Sequence, residues 1–224
     1  MSISTNNFIK AIYKLEKIPG ADTRPGSIAK TLAVTNAAAT DMARKLAAKK
    51  LIHYTRYRKL TLTSEGKKIA LNIIRKHRLW ESFLHKTLNL SLHEIHREAE
   101  LLEHLTSDFL ADKINTFLGN PEYDPHGDPI PNDKGDILFS KENVILTNAL
   151  PGNYYIISRL FSSEKDFFDF CSSNNITIGS TIKVEKQYGK TNMTEIRINN
   201  TKLLLNKDFT NIIYVHKQSK NEIK

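Results

Sequence analysis

The stretch SIAKTLAVTNAAATDMARKLAAKKLI, residues 27–52, decides the fold of the first third of this chain. Residues 27–33 favour a short helix, and Thr35 or Asn36 is a suitable N-cap for a second helix. The alanines of that second helix have high helix propensity. Its inward-facing residues are expected to be Met42, Leu46 and Leu51. Two helices joined by a short turn predict a helix-turn-helix.

The flanking residues extend this prediction to a winged helix. Upstream, residues 6–18 carry one apolar helical stripe of Phe8, Ile9, Ile12, Tyr13 and Leu15, and Pro19-Gly20 stops that helix. Downstream, residues 52–54 and 60–63 alternate as two strands, and the basic segment TRYRK joins them. A basic hairpin directly after a recognition helix is typical of a wing.

A winged helix of this composition predicts contacts with double-stranded DNA. Base edges and phosphates would be contacted by Thr35, Asn36, Ala38 and Thr40, and the DNA backbone would be held by Arg44, Lys45, Arg56 and Arg58. The alternative is an alanine-rich helix in an ordinary α+β core, with lysines that are only solvated.

The distribution of charge supports a polyanionic partner. The net charge is +9, but residues 1–78 hold 17 Lys/Arg against 4 Asp/Glu, whereas residues 79–135 hold 4 against 11. A basic first third fits nucleic acid. An acidic middle third fits a bound cation.

The apolar content and the cysteine count indicate in which cellular compartment the protein is expected. Cys171 is the single cysteine, which excludes an internal disulfide and a cysteine-based zinc site. No stretch approaches the roughly 20 apolar residues of a membrane span, and the N-terminus lacks the apolar core of a signal peptide. We expect a cytoplasmic protein with no membrane partner.

Candidate metal ligands follow the winged helix, in a segment that begins with a long helix capped at Thr63 or Ser64. A capping box at Ser91 and Glu94 opens the next helix. The candidate ligands are His77, Glu81, His96, Glu100, Glu103, His104, Asp124 and His126. Imidazoles and carboxylates at helical spacing suit a divalent transition metal. The alternative is a set of solvated side chains, with His77 and Glu81 forming an exposed hydrogen bond one turn apart.

The same helices carry more apolar surface than one helix pair would bury. The residues concerned are Leu101, Leu102, Leu105, Phe109 and Leu110. A homodimer interface would account for them. Gly119 and Pro121 are expected to end the helical region.

The last third changes to short strands. Residues 136–150 favour a linker with a strand, and five strand patterns lie between residues 154 and 217. Residues 167–171, FFDFC, favour a short helix. Together these patterns predict a small β-barrel.

The chain resembles the diphtheria-toxin-repressor family of metal-dependent transcriptional regulators over nearly its whole length. The motifs that carry the resemblance are RKHRLWESFL at 75–84, IHREAELLEHLTSDF at 95–109 and PHGDPIP at 125–131. They are most similar to the manganese-responsive branch with a third domain. The resemblance implies an α+β protein with a winged helix-turn-helix (1–74), a helical metal-binding and dimerisation domain (75–135), a linker (136–150) and an SH3-like β-barrel (151–220).

The resemblance also implies two metal positions. The primary site would use Asn7, Glu100, Glu103 and His104, and the ancillary site would use His77, Glu81 and His96. Asp124 and His126 stand where manganese-type relatives have Cys-Pro-His, and a third-domain carboxylate would be Glu164 or Asp166.

Two residues depart from the family pattern. Asn7 replaces the Asp or Met of other members, and Lys10 stands where some manganese regulators have Glu. Because Glu100 offers a hard oxygen where iron-type members have Cys, Mn²⁺ is the first choice and Fe²⁺ the second.

The expected function is therefore a metal-dependent repressor that binds an operator as a dimer, with metal fixing the geometry of the two winged helices. One alternative is a metal-independent winged-helix regulator whose middle helices only dimerise. The other is a helical di-metal enzyme. That second alternative would require two Glu-x-x-His repeats, and the sequence contains none.

Overall fold

The structure is a computed structural model that describes residues 2–18, 20–137, 143–162 and 164–218. It divides into two compact units. The first comprises Met1–Trp80, Ala99–Phe117 and Ile130–Leu138, and the second Glu81–Glu98, Leu118–Pro129 and Phe139–Lys224. Among the described residues, no helix is long and apolar enough to cross a membrane.

Three helices form the start of the first unit: α1 (Ile3–Glu16), α2 (Pro25–Thr31) and α3 (Asn36–Ala48). Helix α1 begins earlier than predicted because the Ser2 side chain accepts a hydrogen bond from Thr5 N and caps it. At α3 the predicted cap is confirmed, since Thr35 Oγ1 accepts from Ala38 N at 3.1 Å. Helices α2 and α3 form the predicted helix-turn-helix.

The wing follows α3 as a short antiparallel hairpin of β1 (Ile52–His53) and β2 (Thr61–Leu62). It is anchored at its base, where Thr23 Oγ1 donates to the carbonyl of Leu60 at 2.7 Å. At its tip, Tyr57 has a φ of 62°. The apolar faces of α1, α2 and α3 form one core with the wing and the start of the next helix; its largest fully buried members are Ile9, Ile12, Ile28, Leu46 and Leu60.

The middle of the chain forms three helices: α4 (Ser64–Leu88), α5 (Leu92–Leu102) and α6 (Asp108–Phe117). The capping box of α5 is confirmed, because Ser91 N donates to Glu94 Oε2 at 2.9 Å. The helical spacing of the candidate ligands predicts that the helix opened at Ser91 also carries Glu103 and His104; this was wrong, since α5 ends at Leu102. A new helix starts after Ser107, whose Oγ accepts from Leu110 N at 3.1 Å.

The last third forms a six-stranded antiparallel sheet. Its strands are β3 (Val144–Ile145), β4 (Tyr154–Leu160), β5 (Thr181–Tyr188), β6 (Met193–Ile198), β7 (Thr201–Asn206) and β8 (Ile213–Lys217). The spatial order is β3-β8-β4-β5-β6-β7. In the described residues β3 and β7 lie at opposite edges, so the predicted barrel is an open SH3-like sheet.

Two helices accompany the sheet. Helix α7 (Lys165–Ser173) confirms the predicted short helix and buries Phe167, Phe168 and Cys171 in the core of the sheet. Helix α8 (Lys207–Thr210) joins β7 to β8. Part of the predicted linker, residues 138–142, lies outside the described residues.

Candidate metal centres and DNA-binding surface

A buried lysine joins α1 to the end of α5 in the first unit. Lys10 Nζ lies 2.7 and 2.8 Å from the two carboxylate oxygens of Glu100, and 2.5 Å from Glu103 Oε1. The Lys10 and Glu103 side chains are almost fully buried, whereas that of Glu100 is 37% exposed. Lysine is seldom buried unless it is paired, and here two carboxylates pair with it.

His77 on α4 completes this cluster. Its Nδ1 lies 2.7 Å from Glu103 Oε2, and His77, Glu100 and Glu103 each offer a ligand atom within 4.8 Å of the others. Burial acts to raise the pKa of Glu100. The opposing effects, led by the Lys10 charge and its hydrogen bonds, together outweigh burial, so the pKa lies below its ordinary value. Glu100 therefore remains a carboxylate at neutral pH.

Two other predicted ligands of the first unit have buried polar atoms without hydrogen bonds. Both ring nitrogens of His104 and Oδ1 of Asn7 have no hydrogen-bond partner among the described residues. His104 Nε2 lies 3.3 Å from Glu103 Oε1, and the His104 side chain is only 4% exposed. Buried polar groups are normally satisfied, so orphaned atoms call for an explanation. Coordination of a divalent ion would satisfy them, and this donor set fits one.

The second unit holds a further group of two imidazoles and a carboxylate. His96 Nδ1 lies 3.0 Å from Glu81 Oε1, and His126 Nε2 lies 3.5 Å from the same oxygen. Neither ring nitrogen of His126 has a hydrogen-bond partner in the described part of the chain. The His126 ring is buried against Phe168 of α7, with centroids 5.3 Å apart. Glu81, His96 and His126 therefore also fit a cation.

A tight turn fixes His126. Asp124 Oδ1 accepts from the backbone N–H groups of His126 and Asp128, both at 2.9 Å. Gly127 has a φ of +86°, and a Cβ there would lie 1.9 Å from the carbonyl oxygen of Ser158. Asp124, predicted as a metal ligand, thus caps this turn through Oδ1. This structural role was not predicted. The DPHGD sequence is typical of such a turn.

The remaining predicted ligands are placed as follows. His77 lies one turn before Glu81 on α4. Glu164 is exposed at the N-cap of α7, and Asp166 lies in the first turn of that helix. Among the described residues, the group of ligand atoms formed by His77, Glu100 and Glu103 includes neither of these two carboxylates.

The predicted DNA-contacting residues lie on one exposed stretch of the first unit. Thr35, Asn36, Ala38, Arg44, Lys45, Arg56 and Arg58 are all exposed. Thr40 is half-buried, and its hydroxyl donates to the carbonyl of Asn36. Lys45 Nζ pairs with Asp41 at 2.7 Å on the helix surface. Such an exposed pair is weak, so it leaves Lys45 free to exchange its partner for a phosphate.

Sequence reasoning missed one residue of the wing. Tyr57 is 78% exposed at the tip, and the guanidinium of Arg56 lies 4.9 Å from its ring centroid. The TRYRK segment shows that an aromatic residue lies between Arg56 and Arg58. The sequence pattern did not predict that this residue would adopt a left-handed backbone conformation. The tip therefore presents an aromatic ring together with two cations.

Four of the five apolar residues predicted for a dimer interface are exposed, and the fifth, Leu102, is half-buried. Leu105 is 84% exposed, Phe109 71%, Leu101 65% and Leu110 42%. They lie on α5, on α6 and in the segment between these helices. A patch of this kind on a chain with two real cores marks an interaction surface.

Family profiles match the chain from residue 1 to residue 132 of 224. The profile of the iron-dependent repressor N-terminal DNA-binding domain matches residues 1–60. The profile of the iron-dependent repressor metal-binding and dimerisation domain matches residues 63–132. The two profiles therefore cover the winged helix and the region that contains both ligand groups.

Individual relatives agree with the profiles. The diphtheria toxin repressor of Corynebacterium efficiens is 26% identical over 201 residues, which cover 85% of this chain and 86% of that protein. The iron-dependent repressor IdeR of Mycobacterium leprae is 30% identical over 128 residues, covering 57% of this chain and 55% of that protein. A probable metal transport system membrane protein of Chlamydia trachomatis is 41% identical over 71 residues, covering 32% of this chain and 16% of that protein.

Solved structures extend the likeness to the last third. A manganese-dependent transcriptional repressor in complex with manganese has a TM-score of 0.89 at 28% identity, covering 96% of this chain and all of the other. ScaR with bound Zn²⁺ has a TM-score of 0.81 at 29% identity, covering 96% and 99%. The DNA-binding and metal-binding profiles, together with these full-length neighbours, show that this chain belongs to the diphtheria-toxin-repressor family of metal-dependent, DNA-binding transcriptional repressors and is not an enzyme.

Proposed function

We propose that this protein represses metal-uptake genes as a homodimer, and that Mn²⁺, or Fe²⁺ as the second choice, activates it. The observation that carries the proposal is the set of orphaned buried atoms. Five of them belong to predicted ligands: Oδ1 of Asn7 and both ring nitrogens of His104 and His126. They fall in two groups, one with Glu100 and Glu103 and the other with Glu81 and His96.

The primary metal would be held by Asn7, Glu100, Glu103 and His104. It would supply positive charge to two carboxylates and connect α1, which belongs to the DNA-binding domain, with α5. His77 already contacts Glu103 and would orient that carboxylate, whereas the resemblance places it in the ancillary site. The resemblance assigns the ancillary metal to His77, Glu81 and His96; His126 would be a further ligand, and Glu164 remains a candidate from the third domain.

The donor atoms support Mn²⁺ over softer metals. The proposed ligands supply carboxylate, amide and imidazole atoms, and no thiolate, because the single cysteine is buried in the sheet. Structural neighbours are described as manganese-dependent, while the mycobacterial relative is described as iron-dependent. The matching segment in a probable metal transport protein supports metal uptake as the controlled process.

DNA binding would follow from the winged helix. Thr35, Asn36, Ala38 and Thr40 would contact base edges and nearby phosphates, and Arg44, Lys45, Arg56 and Arg58 would hold the DNA backbone. A dimer through the patch around Leu105 and Phe109 would present two such surfaces to one operator. Metal and DNA binding would then each strengthen the other.

We propose domain boundaries between residues 74 and 75 and between residues 135 and 136, with a linker that ends at residue 150.

The test is a DNA-binding titration of the demetallated protein with Mn²⁺, Fe²⁺, Co²⁺ and Zn²⁺ in turn. Wild-type protein should gain operator affinity when Mn²⁺ or Fe²⁺ is added, whatever the affinity of the site for Co²⁺ and Zn²⁺, which bind most nitrogen and oxygen ligands more tightly. His104→Ala should lose this gain, because it removes a proposed ligand whose buried ring nitrogens make no hydrogen bond among the described residues. His85→Ala, a change of an exposed histidine on α4, is the matched control and should behave as wild type. Operator affinity that chelator leaves unchanged would contradict the proposal.

A second candidate function is a metal-independent regulator of the same fold. The contact that favours it is the Lys10 ion pair, which already gives Glu100 and Glu103 a cationic partner. Under this alternative, wild-type protein and His104→Ala would both bind operator as tightly in chelator as they do with added Mn²⁺. The same titration therefore separates the two candidates.

A further inference from the structure

The Lys10 ammonium lies among the carboxylates that the proposed function assigns to the metal. Glu100 and Glu103 together have four carboxylate oxygens. Lys10 Nζ is within hydrogen-bond distance of three of them, at 2.5 to 2.8 Å. The fourth, Glu103 Oε2, lies 2.7 Å from His77 Nδ1. In this conformation every oxygen of the primary carboxylates is already engaged.

We propose that Lys10 is a tethered competitor of the metal, so that a divalent ion binds the primary site only by displacing the lysine ammonium. This inference rests on the proposed function, because it takes Glu100 and Glu103 as metal ligands. It deepens that function by naming the residue of this chain that sets the metal affinity of the site.

The competition follows from charge and geometry. An ammonium and a divalent ion compete for these oxygens, because two cations repel each other at such short range and both are attracted to the same carboxylate charge. Lys10 is on α1, and its side chain is 6% exposed. Its tether therefore keeps the ammonium at the site at a high effective concentration, which a free cation does not have.

Other groups facing the cluster do not replace Lys10. Lys14 is one turn further along α1 and is exposed; among the charges acting on Glu100, its effect is smaller than that of Lys10 or His77. His77 engages one oxygen, and His104 Nε2 lies 3.3 Å from Glu103 Oε1. Of these groups, Lys10 is the one within hydrogen-bond distance of both carboxylates, since His77 Nδ1 lies 3.7 Å from Glu100 Oε2.

Displacement has a direct chemical readout. In the metal-free protein the Lys10 amine should react slowly with an acylating reagent such as an N-hydroxysuccinimide ester, because it is buried and paired. Saturating Mn²⁺ should expel it and raise its labelling rate, measured by mass spectrometry of the peptide that contains it. Lys14, exposed in the same peptide region, is the internal reference and should label at the same rate in both states.

Affinity provides the second readout. Lys10→Met keeps a long side chain but removes the charge, and it should tighten Mn²⁺ binding by about 5- to 150-fold, the usual range for coupled ligands. Lys14→Met is the matched control and should change the affinity much less. Lys10→Gln, which keeps a hydrogen-bond donor, covers the case in which Lys10→Met folds poorly. The rise in Tm on adding Mn²⁺ should be larger in either Lys10 variant than in wild type.

The outcomes separate this inference from the proposed function. The inference alone would be overturned if wild-type protein binds Mn²⁺, the Lys10 variants bind it with equal or weaker affinity, and Mn²⁺ leaves the labelling rate of Lys10 unchanged. Failure of both wild type and the Lys10 variants to bind any of the four metals would overturn the proposed function. A Lys10 variant that binds Mn²⁺ where wild type does not would support the competitor role in its strongest form.

Discussion

Trp80 Nε1 donates a hydrogen bond of 2.7 Å to Thr106 Oγ1, which in turn donates to the carbonyl of Leu102 at the end of α5. The indole of α4 is thereby tied to the short segment that carries Glu103 and His104. Trp80 is the single tryptophan of the chain. A change at the primary site therefore has a spectroscopic reporter within its own unit.

We expect Mn²⁺ to change the fluorescence of Trp80 in a saturable way. The reason is that ordering of His104 fixes the segment to which the indole is bonded. His104→Ala should remove the saturable change, and His85→Ala should retain it. A metal titration of the intrinsic fluorescence checks this, and an equal response from His104→Ala would show that the indole reports another site.

Asn7→Asp should tighten activation by Mn²⁺. Asn7 offers a neutral amide oxygen that has no hydrogen-bond partner among the described residues, and a carboxylate there would add a charge toward the cation. One unit of log affinity, about 1.4 kcal/mol, is the expected scale. Metal binding by calorimetry and operator binding by anisotropy should both shift to lower Mn²⁺ concentration.

Asn7→Ala tests the coupling itself. It should weaken the dependence of DNA binding on metal more than it weakens metal binding, because Glu100, Glu103 and His104 remain. Wild-type behaviour of Asn7→Ala in both titrations would exclude Asn7 as a ligand.

Arg56→Ala and Arg58→Ala should weaken DNA binding similarly on all sequences. Both residues are exposed on the wing, where phosphates are the expected partners. Each lost phosphate contact should change the slope of log affinity against log salt by about 0.9. Thr40→Ala should affect only a subset of operator sequences. A wing variant that altered sequence preference and kept the salt slope would contradict these roles.

Leu105→Lys should convert the dimer to a monomer. Leu105 is 84% exposed in a patch with Phe109 and Leu110, so a charge there would cost little in the monomer and much in an apolar interface. Sedimentation velocity checks the mass. Leu204→Lys, an exposed change on β7, is the control and should remain dimeric. Dimers of Leu105→Lys would place the interface elsewhere.

Cys171 should be inert to thiol reagents in the native protein. Burial raises the pKa of its thiol to about 12. The reactive thiolate is therefore a minor species at pH 8. Reaction with a disulfide reagent should begin only on unfolding in denaturant. Rapid stoichiometric reaction of folded protein at pH 8 would contradict this burial.

The elements with strong local signals were predictable from the sequence. The cap at Thr35, the capping box at Ser91 and the strand TKLLLN each depend on a few neighbouring residues, and the structure confirms them. The break after Leu102 was missed, although Thr106-Ser107-Asp108 is a typical N-cap sequence. The apolar residues continue at helical spacing across the break, so the periodicity hid it.

The cluster around Lys10 could not be predicted from local patterns. Lys10 and Glu100 are 90 residues apart, and only the tertiary fold brings their charged atoms together. The family pattern marked Lys10 as a departure but did not give the ammonium a place. Likewise, Asp124 was assigned to a metal because it stands where manganese-type relatives have the cysteine of Cys-Pro-His, while its Oδ1 accepts from two backbone N–H groups. Pairings of this kind depend on three-dimensional distance rather than on spacing in sequence.

The turn at Gly127 has a consequence for how the second unit unfolds. The carbonyl of His126 accepts from Leu160 N at 2.9 Å, and Asp128 pairs with Arg159 at 3.0 Å. His126 is therefore held by strand β4 itself, so local opening of the sheet and loss of the imidazole from its position are one cooperative event. Metal held by His126 would slow amide hydrogen exchange in β4, and a sheet weakened by substitution would release the metal sooner. If His126 is a ligand as proposed, the C-terminal sheet would share in the stability of the bound cation.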